Sequence, residues 1–469
     1  MTGNRPNVLL VLIDDLGWRD LGCYGSSFYE TPVLDGLAER GARFTDAYAA
    51  APVCSPTRAS MLTGRYPARV GITQYIGGHA VGRLCDVPYF PMLPIQEYSL
   101  ARALRDHGYQ TWHVGKWHLG NSAYWPEQHG FMVNVGGCEW GYPVHGYFSP
   151  YEIPTLSDGP EGEYLTDRLT DEAIALIEQC PADEPFFLNY WPYAVHIPIE
   201  APEGLVEKYR AKAETLGLDV VDPFVEGEEF PFWQKRSQRV RRRQIQSDAS
   251  YAAMVENLDW NIGRLLAALD ATGRLEETLI MVTSDNGGLA TAEGSPTSNA
   301  PLAEGKGWMY DGGVREPLIV CYPPVVAPGT VVSEPITTPD FYPTILELVG
   351  ASPEPAQHVD GVSFAAALSG GAFERGPIFW HYPHYSNQGG EPGASVREGA
   401  WKLVRFFDGE RVELYDLAVD LSEEHDVAAS YPEVVAHLTA LLDEWSVSVG
   451  CLVPRENPYE AFGDVAGRR

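Results

Sequence analysis

Short apolar runs alternate with helical patterns along most of the chain. The run from Asn7 to Ile13 is apolar at every position after Asn7, which is typical of a strand covered on both faces. The helices are predicted at 98–107, 165–179 and 248–269, and the strands that follow them at 109–114, 185–191 and 279–283. Gly108 and Gly273 are the predicted stop signals for two of these helices. The repeated order of helix and then strand predicts a parallel sheet flanked by helices.

The pattern changes after about residue 370. Two strand patterns, 401–406 and 412–415, flank Asp408-Gly409, a dipeptide that favours a hairpin turn, and a helical pattern follows at 432–445. A chain of 469 residues also exceeds a single ordinary core. We therefore predict a large α/β domain over residues 1–374. A smaller subdomain, an antiparallel sheet with one covering helix, is predicted over residues 375–469.

Charge and hydropathy narrow the classes of partner. The net charge of -31 repels polyanions at long range, which argues against a nucleic-acid partner. A site for an anionic ligand would therefore have to gather positive charge locally. No run approaches the ~20 apolar residues of a membrane helix, and the first apolar run ends in two aspartates, unlike a signal peptide. We expect no membrane partner, reduced cysteines and a cytoplasmic location.

Acidic and amide side chains follow two of the predicted strands. Asp14 and Asp15 end the first strand, and Asp285 and Asn286 end the last. Either pair alone would be read as a turn or a helix cap. Because the carboxyl ends of parallel strands meet at one sheet edge, two such pairs predict a metal site. Oxygen ligands suit Ca²⁺ or Mg²⁺ better than zinc.

Basic side chains follow the other two strands. Lys116 and His118 come after the second predicted strand, and His196 comes after the third. A single histidine in such a position is more often structural than catalytic. The support for a catalytic role therefore comes from the other polar residues predicted nearby. Lys306 lies in a glycine-rich loop, where a solvated lysine is equally expected. Together these side chains supply the positive charge that an anion site in this acidic protein requires.

One segment carries a specific motif. Residues 52–65 read Pro-Val-Cys-Ser-Pro-Thr-Arg-Ala-Ser-Met-Leu-Thr-Gly-Arg. This segment resembles the maturation signature of type I sulfatases, in which Cys-x-Pro-x-Arg is followed by Leu-Thr-Gly-Arg, and Cys54 and Arg58 occupy its key positions. The resemblance continues in order through Val-Gly-Lys-Trp-His-Leu-Gly at 114–120, His-x-Pro at 196–198 and Ser-Asp-Asn-Gly-Gly at 284–288.

This resemblance implies a fold, a cofactor and a maturation step. The fold is the alkaline phosphatase/sulfatase-like one, with a large, mostly parallel sheet flanked by helices and a smaller C-terminal antiparallel sheet with a helix. The cofactor is one Ca²⁺, with Mg²⁺ as the alternative. Cys54 becomes formylglycine (3-oxoalanine) through a formylglycine-generating enzyme. The implied metal ligands are Asp14, Asp15, Asp285, Asn286 and the oxidised Cys54.

The resemblance also implies a reaction. A hydroxyl of the aldehyde hydrate attacks sulfur, and the second hydroxyl then expels sulfate as the aldehyde re-forms. Arg58 and Lys116 match residues that brace the aldehyde and neutralise sulfate oxygens. Asp285 matches the residue that helps activate the nucleophile, and His118 the one that takes the second proton. His196 and Lys306 match residues that protonate or stabilise the departing alkoxide.

The substrate is predicted from the remaining segments. Residues 136–141 and 161–167 resemble carbohydrate sulfatases of the galactosamine type, which implies a sulfated small sugar or oligosaccharide, such as a glycosaminoglycan end, cleaved exo-fashion. Four side chains are suited to stack on or hydrogen-bond a sugar ring: Trp125, Glu139, Trp140 and His145. Each such side chain more often packs within the protein than contacts a ligand. The run 235–243 carries six cations. It predicts a solvated helical face or, alternatively, a rim that attracts an anionic glycan.

Two other functions stay open. Relatives on the same fold use the oxidised cysteine to hydrolyse phosphonate monoesters or phosphodiesters. From a different class, the chain would be a non-catalytic sugar-binding protein with an unconverted Cys54. A zinc phosphatase fits less well because the predicted ligands are oxygen-rich.

Overall fold

The computed structural model describes residues 5–354, 356–357 and 359–459. The strands are β1 (Asn7–Ile13), β2 (Ala42–Tyr48), β3 (Gln110–Gly115), β4 (Val133–Val135), β5 (Phe186–Trp191), β6 (Phe224–Glu229), β7 (Arg239–Arg243), β8 (Thr278–Ser284), β9 (Arg315–Cys321), β10 (Thr330–Val332), β11 (Ile336–Thr337), β12 (Ile378–Tyr382), β13 (Gly393–Glu398), β14 (Trp401–Phe406) and β15 (Val412–Asp416). The helices are α1 (Pro32–Arg40), α2 (Cys54–Thr63), α3 (Pro67–Val70), α4 (Leu100–Asp106), α5 (Leu165–Gln179), α6 (Glu203–Leu216), α7 (Ala249–Ala271), α8 (Asp311–Val314), α9 (Phe341–Val349), α10 (Ala365–Leu368) and α11 (Pro432–Val449).

A nine-stranded sheet forms the centre of the protein. Its order is β10-β2-β9-β8-β1-β5-β3-β4, and β11 also pairs with β2. Strand β9 runs antiparallel to both of its neighbours, and the other pairings in the sheet are parallel. The predicted large, mostly parallel sheet flanked by helices is confirmed.

Strand β1 lies in the middle of this sheet and is buried along its whole length. Its side chains alternate between two cores, with Leu9 and Val11 in one and Leu10 and Leu12 in the other. A strand covered by helices on both faces needs apolar residues at every position, which is the pattern that its sequence shows.

The predicted helix and strand positions are confirmed to within a few residues. Helix α5 spans 165–179 as predicted, and α7 begins after Asp248, whose side chain accepts hydrogen bonds from the backbone N–H groups of Ser250 and Tyr251. Gly108 and Gly273 have φ values of 83° and 70°, which glycine adopts readily at a helix end.

The predicted C-terminal antiparallel sheet and its covering helix are also confirmed. Strands β12 to β15 pair in chain order, and α11 packs on β13. A shared core joins this sheet to the large one, with Trp380 and Tyr382 packed in the same cluster as Tyr48, Val53 and Met309. The domain boundary predicted between residues 374 and 375 stays a prediction.

The basic run 235–243 does not form a helical face, so that expectation is wrong. Its second half is strand β7, which pairs with the acidic strand β6. Arg242 donates to both Glu228 and Glu304, at 2.6 Å and 2.7 Å. The alternation of acids and bases across this ribbon neutralises much of the charge of the run.

All seven cysteines carry free thiols. Among the described residues, no helix has both the length and the apolar character needed to cross a bilayer.

Candidate active site

Four neighbouring strands deliver the candidate residues to one edge of the sheet. Strands β8, β1, β5 and β3 are adjacent, and the loops after them carry the predicted acids and bases. The backbone links these loops directly: Asp14 N donates to Ala194 O at 3.2 Å, and Lys116 N donates to Trp191 O at 2.7 Å. The strand order therefore brings together side chains that are far apart in the sequence.

The acids and the amide form one buried cluster. Asn286 Nδ2 donates to Asp15 Oδ1 at 2.8 Å, and the backbone N–H of Asp15 donates to Asp285 Oδ1 at 3.2 Å. Two oxygens of the cluster, Asp14 Oδ1 and Asn286 Oδ1, are buried and accept no hydrogen bond from any described residue. Buried oxygens in that state are destabilising unless a cation or a donor satisfies them.

Three buried cations face this acidic cluster. Lys116 Nζ donates to Asp14 Oδ2 at 2.6 Å. The guanidinium of Arg58 lies across Asp285 Oδ2, with Nε at 2.9 Å and Nη2 at 2.7 Å. Lys306 Nζ donates to Asp15 Oδ2 at 2.7 Å. This is the local concentration of positive charge that the acidic composition requires of an anion site.

Burial and these pairings shift the pKa values of the acids in opposite directions. Burial raises the pKa of Asp14 well above its usual range, despite the charge of Lys116 beside it. Burial alone would also raise the pKa of Asp15. The neighbouring Lys306 and His196 outweigh this effect and hold the pKa of Asp15 below its ordinary value. Asp15 is therefore the more firmly ionised of the two neighbours.

Cys54 is the first residue of helix α2, and all ten residues of this helix are buried. Gly64 ends the helix with a φ of 67°, which favours glycine. Arg58 lies four residues on, one helical turn behind Cys54, and its guanidinium packs over the ring of Trp191 at 5.1 Å. The helix thus directs the Cys54 side chain and the Arg58 charge to the same face of the site.

His118 contacts Cys54 directly. Its Nδ1 lies 3.4 Å from Cys54 Sγ, and its Nε2 lies 3.0 Å from the backbone oxygen of Ile76. Because a carbonyl oxygen only accepts, Nε2 carries the proton and Nδ1 is left as a free base facing position 54. Burial, with Lys116 nearby, lowers the pKa of His118 well below its usual value and keeps the ring neutral.

His196 and Lys306 form a second pair. Nδ1 of His196 lies 3.0 Å from the backbone oxygen of Ile197, so it carries the ring proton. Its Nε2 therefore accepts from Lys306 Nζ at 3.0 Å. Burial, together with Lys306, lowers the pKa of His196 well below its usual value. In this arrangement the proton between the two groups lies on Lys306, and His196 accepts a hydrogen bond from it.

Glycines allow the Lys306 loop to lie directly on the end of β8. Lys306 N donates to Gly288 O at 3.1 Å. A Cβ at Gly305 would overlap that same oxygen, and one at Gly287 would overlap the backbone of Gly312. The glycine-rich loop is therefore fixed against the strand end, and the solvated-lysine alternative is wrong: Lys306 is buried.

A cleft of about 360 Å³ opens onto these groups. The residues that line it are Cys54, Tyr75, Ile76, Gly77, His118, Glu139, Gly141, Tyr142, His196, Ile197, Glu293, Lys306 and Gln388. A larger cleft of about 870 Å³ lies against the C-terminal sheet, and none of the candidate residues lines it. Of these two clefts in the described part of the chain, the smaller one combines a cysteine with two histidines and a lysine.

The four candidate sugar contacts are not brought together in this cleft. Glu139 lines it, and Trp125 Nε1 donates to Glu139 Oε2 at 3.1 Å. Trp140 and His145 pack against each other, with ring centroids 5.8 Å apart. The described residues that line the cleft do not include Trp125, Trp140 or His145.

Sequence reasoning missed two cleft residues, Glu293 and Gln388. They come from separate loops, and Gln388 Nε2 donates to Glu293 Oε2 at 3.0 Å. Neither lies at a strand end or in a recognisable motif, so only the packing of the C-terminal segment on the main sheet reveals them.

The acidic cluster has the donors of a cation site. Asp14, Asp15 and His196 each offer an atom within 4.8 Å of the other two. Sequence reasoning placed His196 only among the acid–base groups, yet the structure sets its ring against Asp15, with Nε2 at 3.5 Å from Asp15 Oδ2. Carboxylate and amide oxygens remain the larger share of the donors, which fits a hard cation.

Comparisons with known proteins agree with each other over almost the whole chain. The profile of the family described as Sulfatase matches residues 6–351, and that of the N-sulphoglucosamine sulphohydrolase C-terminal region matches residues 304–448. The chain is 32% identical over 505 residues to a sulfatase of Formosa agariphila, covering 91% of this chain and 85% of the relative. It is 33% identical over 406 residues to the N-acetylgalactosamine-6-sulfatase of Canis lupus familiaris, covering 80% and 68%.

A solved structure matches to a similar extent. The structure of Ps i-CgsB in complex with k-i-k-neocarrahexaose superposes with a TM-score of 0.76 at 26% identity, and the match covers 98% of this chain and 97% of that one.

Proposed function

Because the chain belongs to the sulfatase family and is a hydrolase of sulfate esters, we propose that it acts on a sulfated carbohydrate through an aldehyde at position 54. The observation that carries this proposal is the 3.4 Å contact between His118 Nδ1 and Cys54 Sγ at the floor of the cleft, which Lys306 also lines. A named relative acts on a sulfated N-acetylgalactosamine, and a structural neighbour was solved with a neocarrahexaose, which supports a sugar as substrate.

The residues at the sheet edge fit one bound Ca²⁺. The two buried oxygens without a hydrogen-bond partner, Asp14 Oδ1 and Asn286 Oδ1, are the kind of ligand that a hard cation satisfies. We propose that Asp14, Asp15, Asp285, Asn286 and the oxidised side chain of residue 54 would hold the ion. When bound, such an ion would supply positive charge that acidifies a nearby hydroxyl and draws electrons from a sulfate oxygen. Mg²⁺ is the alternative.

The thiol of Cys54 must first be oxidised, since sulfate ester attack by a thiol leaves a thiosulfate-like adduct without an easy exit. We propose a formylglycine-generating enzyme as the maturation partner. The aldehyde hydrate offers one hydroxyl to attack sulfur and a second whose deprotonation releases sulfate. Nδ1 of His118 is unprotonated and faces this position, so His118 takes that proton.

The remaining residues bind sulfate and assist the leaving group. Arg58 lies one helical turn from position 54, Lys116 lies two residues before His118, and both are buried. Their positive charges would neutralise sulfate oxygens. Lys306 and His196 line the cleft itself, where the oxygen of the departing sugar must lie. Lys306 donates the proton to that oxygen, and His196 holds the ammonium group in place through the 3.0 Å contact.

One comparison tests the reaction class. Peptide mass spectrometry first establishes that residue 54 carries the aldehyde. The rates of hydrolysis of a sulfate ester and a phosphate diester of the same alcohol are then measured. A higher kcat/KM for the sulfate ester supports the proposal. Preference for the phosphate diester would favour the rival phosphonate or phosphodiester hydrolase, and binding of sugar without turnover would favour a sugar-binding protein.

The cytoplasmic location predicted from the sequence stays a prediction.

A further inference from the structure

The charge of the cleft changes sign between its floor and its mouth. At the floor lie Lys306 and two histidines, His118 and His196. At the mouth lie two exposed carboxylates, Glu139 and Glu293. Of the described residues that line the cleft, Lys306 is the single one with a fixed positive charge. A bound ester therefore meets positive charge at its sulfate and negative charge around the rest of the molecule.

Both carboxylates are held in place by neighbouring donors. Trp125 Nε1 donates to Glu139 Oε2 at 3.1 Å. Gln388 Nε2 and Asn387 Nδ2 donate to the two oxygens of Glu293, at 3.0 Å and 2.9 Å. A carboxylate has about four acceptor sites, so each group keeps capacity for further donors. Fixed acceptors of this kind suit hydroxyl or amide N–H groups on a sugar ring.

The nearest basic groups do not reverse this charge. Lys235 Nζ donates to the backbone oxygen of Asn387 at 3.0 Å and is not among the residues that line the cleft. Arg242 is engaged by Glu228 and Glu304. Glu293 and Lys306 line the same cleft, so the Glu293 carboxylate lies within electrostatic reach of the floor.

The cleft also has an apolar side that suits one ring. Tyr142 is 45% exposed and lies parallel to the imidazole of His196, with ring centroids 6.2 Å apart and an interplanar angle of 8°. Tyr75, Ile76 and Ile197 complete this surface. The volume of about 360 Å³ is at the small end of ligand sites, which suits a single substituted ring more than several.

Resting on the proposed function, we propose that the ring bound in this cleft carries the scissile sulfate as its only anionic group. Glu139 and Glu293 determine this specificity: they accept hydrogen bonds from the hydroxyl or amide groups of a neutral ring and repel a second sulfate or a carboxylate on the same ring. Like charges placed together at a binding interface weaken binding strongly, so the discrimination is large enough to measure.

The test compares monosulfates with disulfates of the same ring. The substrates are galactose and N-acetylgalactosamine monosulfates and the corresponding disulfates, and kcat/KM is measured from released sulfate for enzyme with a converted residue 54. The wild-type protein is expected to prefer the monosulfate by about ten-fold or more. Glu139→Gln and Glu293→Gln are each expected to narrow that ratio, because each lowers activity on the monosulfate and raises it on the disulfate.

A matched variant controls for overall charge. Glu276→Gln removes one negative charge from the residues just before β8, at the opposite end of that strand from the cleft. Glu276 is exposed there and forms an ion pair with Arg40. Its monosulfate-to-disulfate ratio is expected to equal that of the wild type. The ratio in the wild type should also shrink at high ionic strength, because salt screens charges near the surface.

The outcomes separate this inference from the function on which it rests. Equal activity on both substrates, or a ratio that Glu139→Gln and Glu293→Gln leave unchanged, overturns the specificity proposal while the sulfatase assignment stands. Absence of sulfate release from every ester, monosulfate and disulfate alike, by enzyme shown to carry the aldehyde, contradicts the proposed substrate class itself.

Discussion

The free Nδ1 of His118 faces the Sγ of Cys54 at 3.4 Å, and the Ile76 carbonyl fixes the proton on the opposite nitrogen of the same ring. One backbone oxygen therefore determines which nitrogen can act as a base at position 54. Replacing His118 with alanine is expected to lower kcat by about 10²–10⁴-fold, the usual contribution of a positioned acid–base group.

Steady-state kinetics with excess imidazole would check the role of His118. Partial rescue by imidazole is expected for the alanine variant, and His129→Ala serves as the comparison, since His129 is also buried but does not line the cleft. Unchanged kcat in His118→Ala would rule out a role in proton transfer.

Replacing Cys54 with alanine should abolish turnover and leave the fold intact. The side chain is small and 3% exposed, and its loss removes the nucleophile position together with the 3.4 Å contact to His118 Nδ1. Sulfate release and circular dichroism measure the two effects. Cys85→Ala, at a half-buried cysteine outside the cleft, is expected to retain activity. Wild-type turnover in Cys54→Ala would refute the proposed mechanism.

The role of Lys306 depends on the leaving group. An alkoxide from a sugar needs a proton as it departs, whereas a nitrophenolate is stable without one. Lys306→Ala is therefore expected to lose about 10²-fold or more in kcat/KM with a sugar sulfate and much less with nitrophenyl sulfate. Lys208→Ala, at a surface ion pair, provides the control. Equal losses with both esters would indicate that Lys306 binds sulfate rather than donating a proton.

Removal of divalent cations should weaken both activity and stability. Ligand at 100 times its Kd adds about 2.7 kcal/mol to the native state, so chelation is expected to lower Tm and addition of Ca²⁺ to restore it. Differential scanning calorimetry measures this shift independently of catalysis. Asp14→Asn should reduce the Ca²⁺-dependent rise in Tm, whereas Asp270→Asn, on the exposed face of α7, should not. Recovery with Mg²⁺ but not Ca²⁺ would reassign the ion.

A carboxyl far from the cleft makes stability depend on pH. Asp259 is buried in α7 and accepts from the backbone N–H groups of Val33 and Leu34, at 3.0 Å and 2.8 Å. Burial raises its pKa to about 7, above the value of 3.8 in the unfolded chain. The folded state therefore binds this proton more tightly, and the stabilisation present below pH 4 is lost as pH rises to about 7.

Asp259→Asn should flatten this part of the profile, because the amide does not titrate. Tm is measured between pH 4 and 7.5 for the wild type, for Asp259→Asn and for the exposed control Asp270→Asn. The difference in Tm between the wild type and Asp259→Asn is expected to change across the range, while the control parallels the wild type. Parallel profiles for all three proteins would show that Asp259 is ionised throughout.

The parts of the fold that the sequence predicted are those encoded by local patterns. Strand β1 is apolar at every position after Asn7 and is followed directly by Asp14, so a short stretch of sequence shows both the strand and the acid after it. Strand β9 was missed because it begins Arg-Glu-Pro, a start that is untypical of a central strand. Glu316 is nevertheless buried there, and burial raises its pKa well above the usual range.

The residues of the candidate site also fall into two groups, those that local sequence patterns predict and those that only tertiary packing brings to the cleft. Residues at strand ends, such as His118 and Asp285, were predicted because parallel topology alone brings strand ends together. Glu293 and Gln388 meet only because the C-terminal segment packs on the main sheet, and their contact joins residues 95 positions apart. Two of the predicted sugar contacts, Trp140 and His145, pack against each other and do not line the cleft. Aromatic side chains in loops provide packing surface as readily as binding surface.

The burial of helix α2 bears on the proposed maturation step. Cys54 is 3% exposed at the floor of the cleft, and no residue of its helix is exposed, so a separate oxidising enzyme would have to reach it before this segment folds. Under that proposal, a molecule that folded with its thiol intact would stay inactive. The specific activity of a pure preparation would then reflect the conditions of its synthesis.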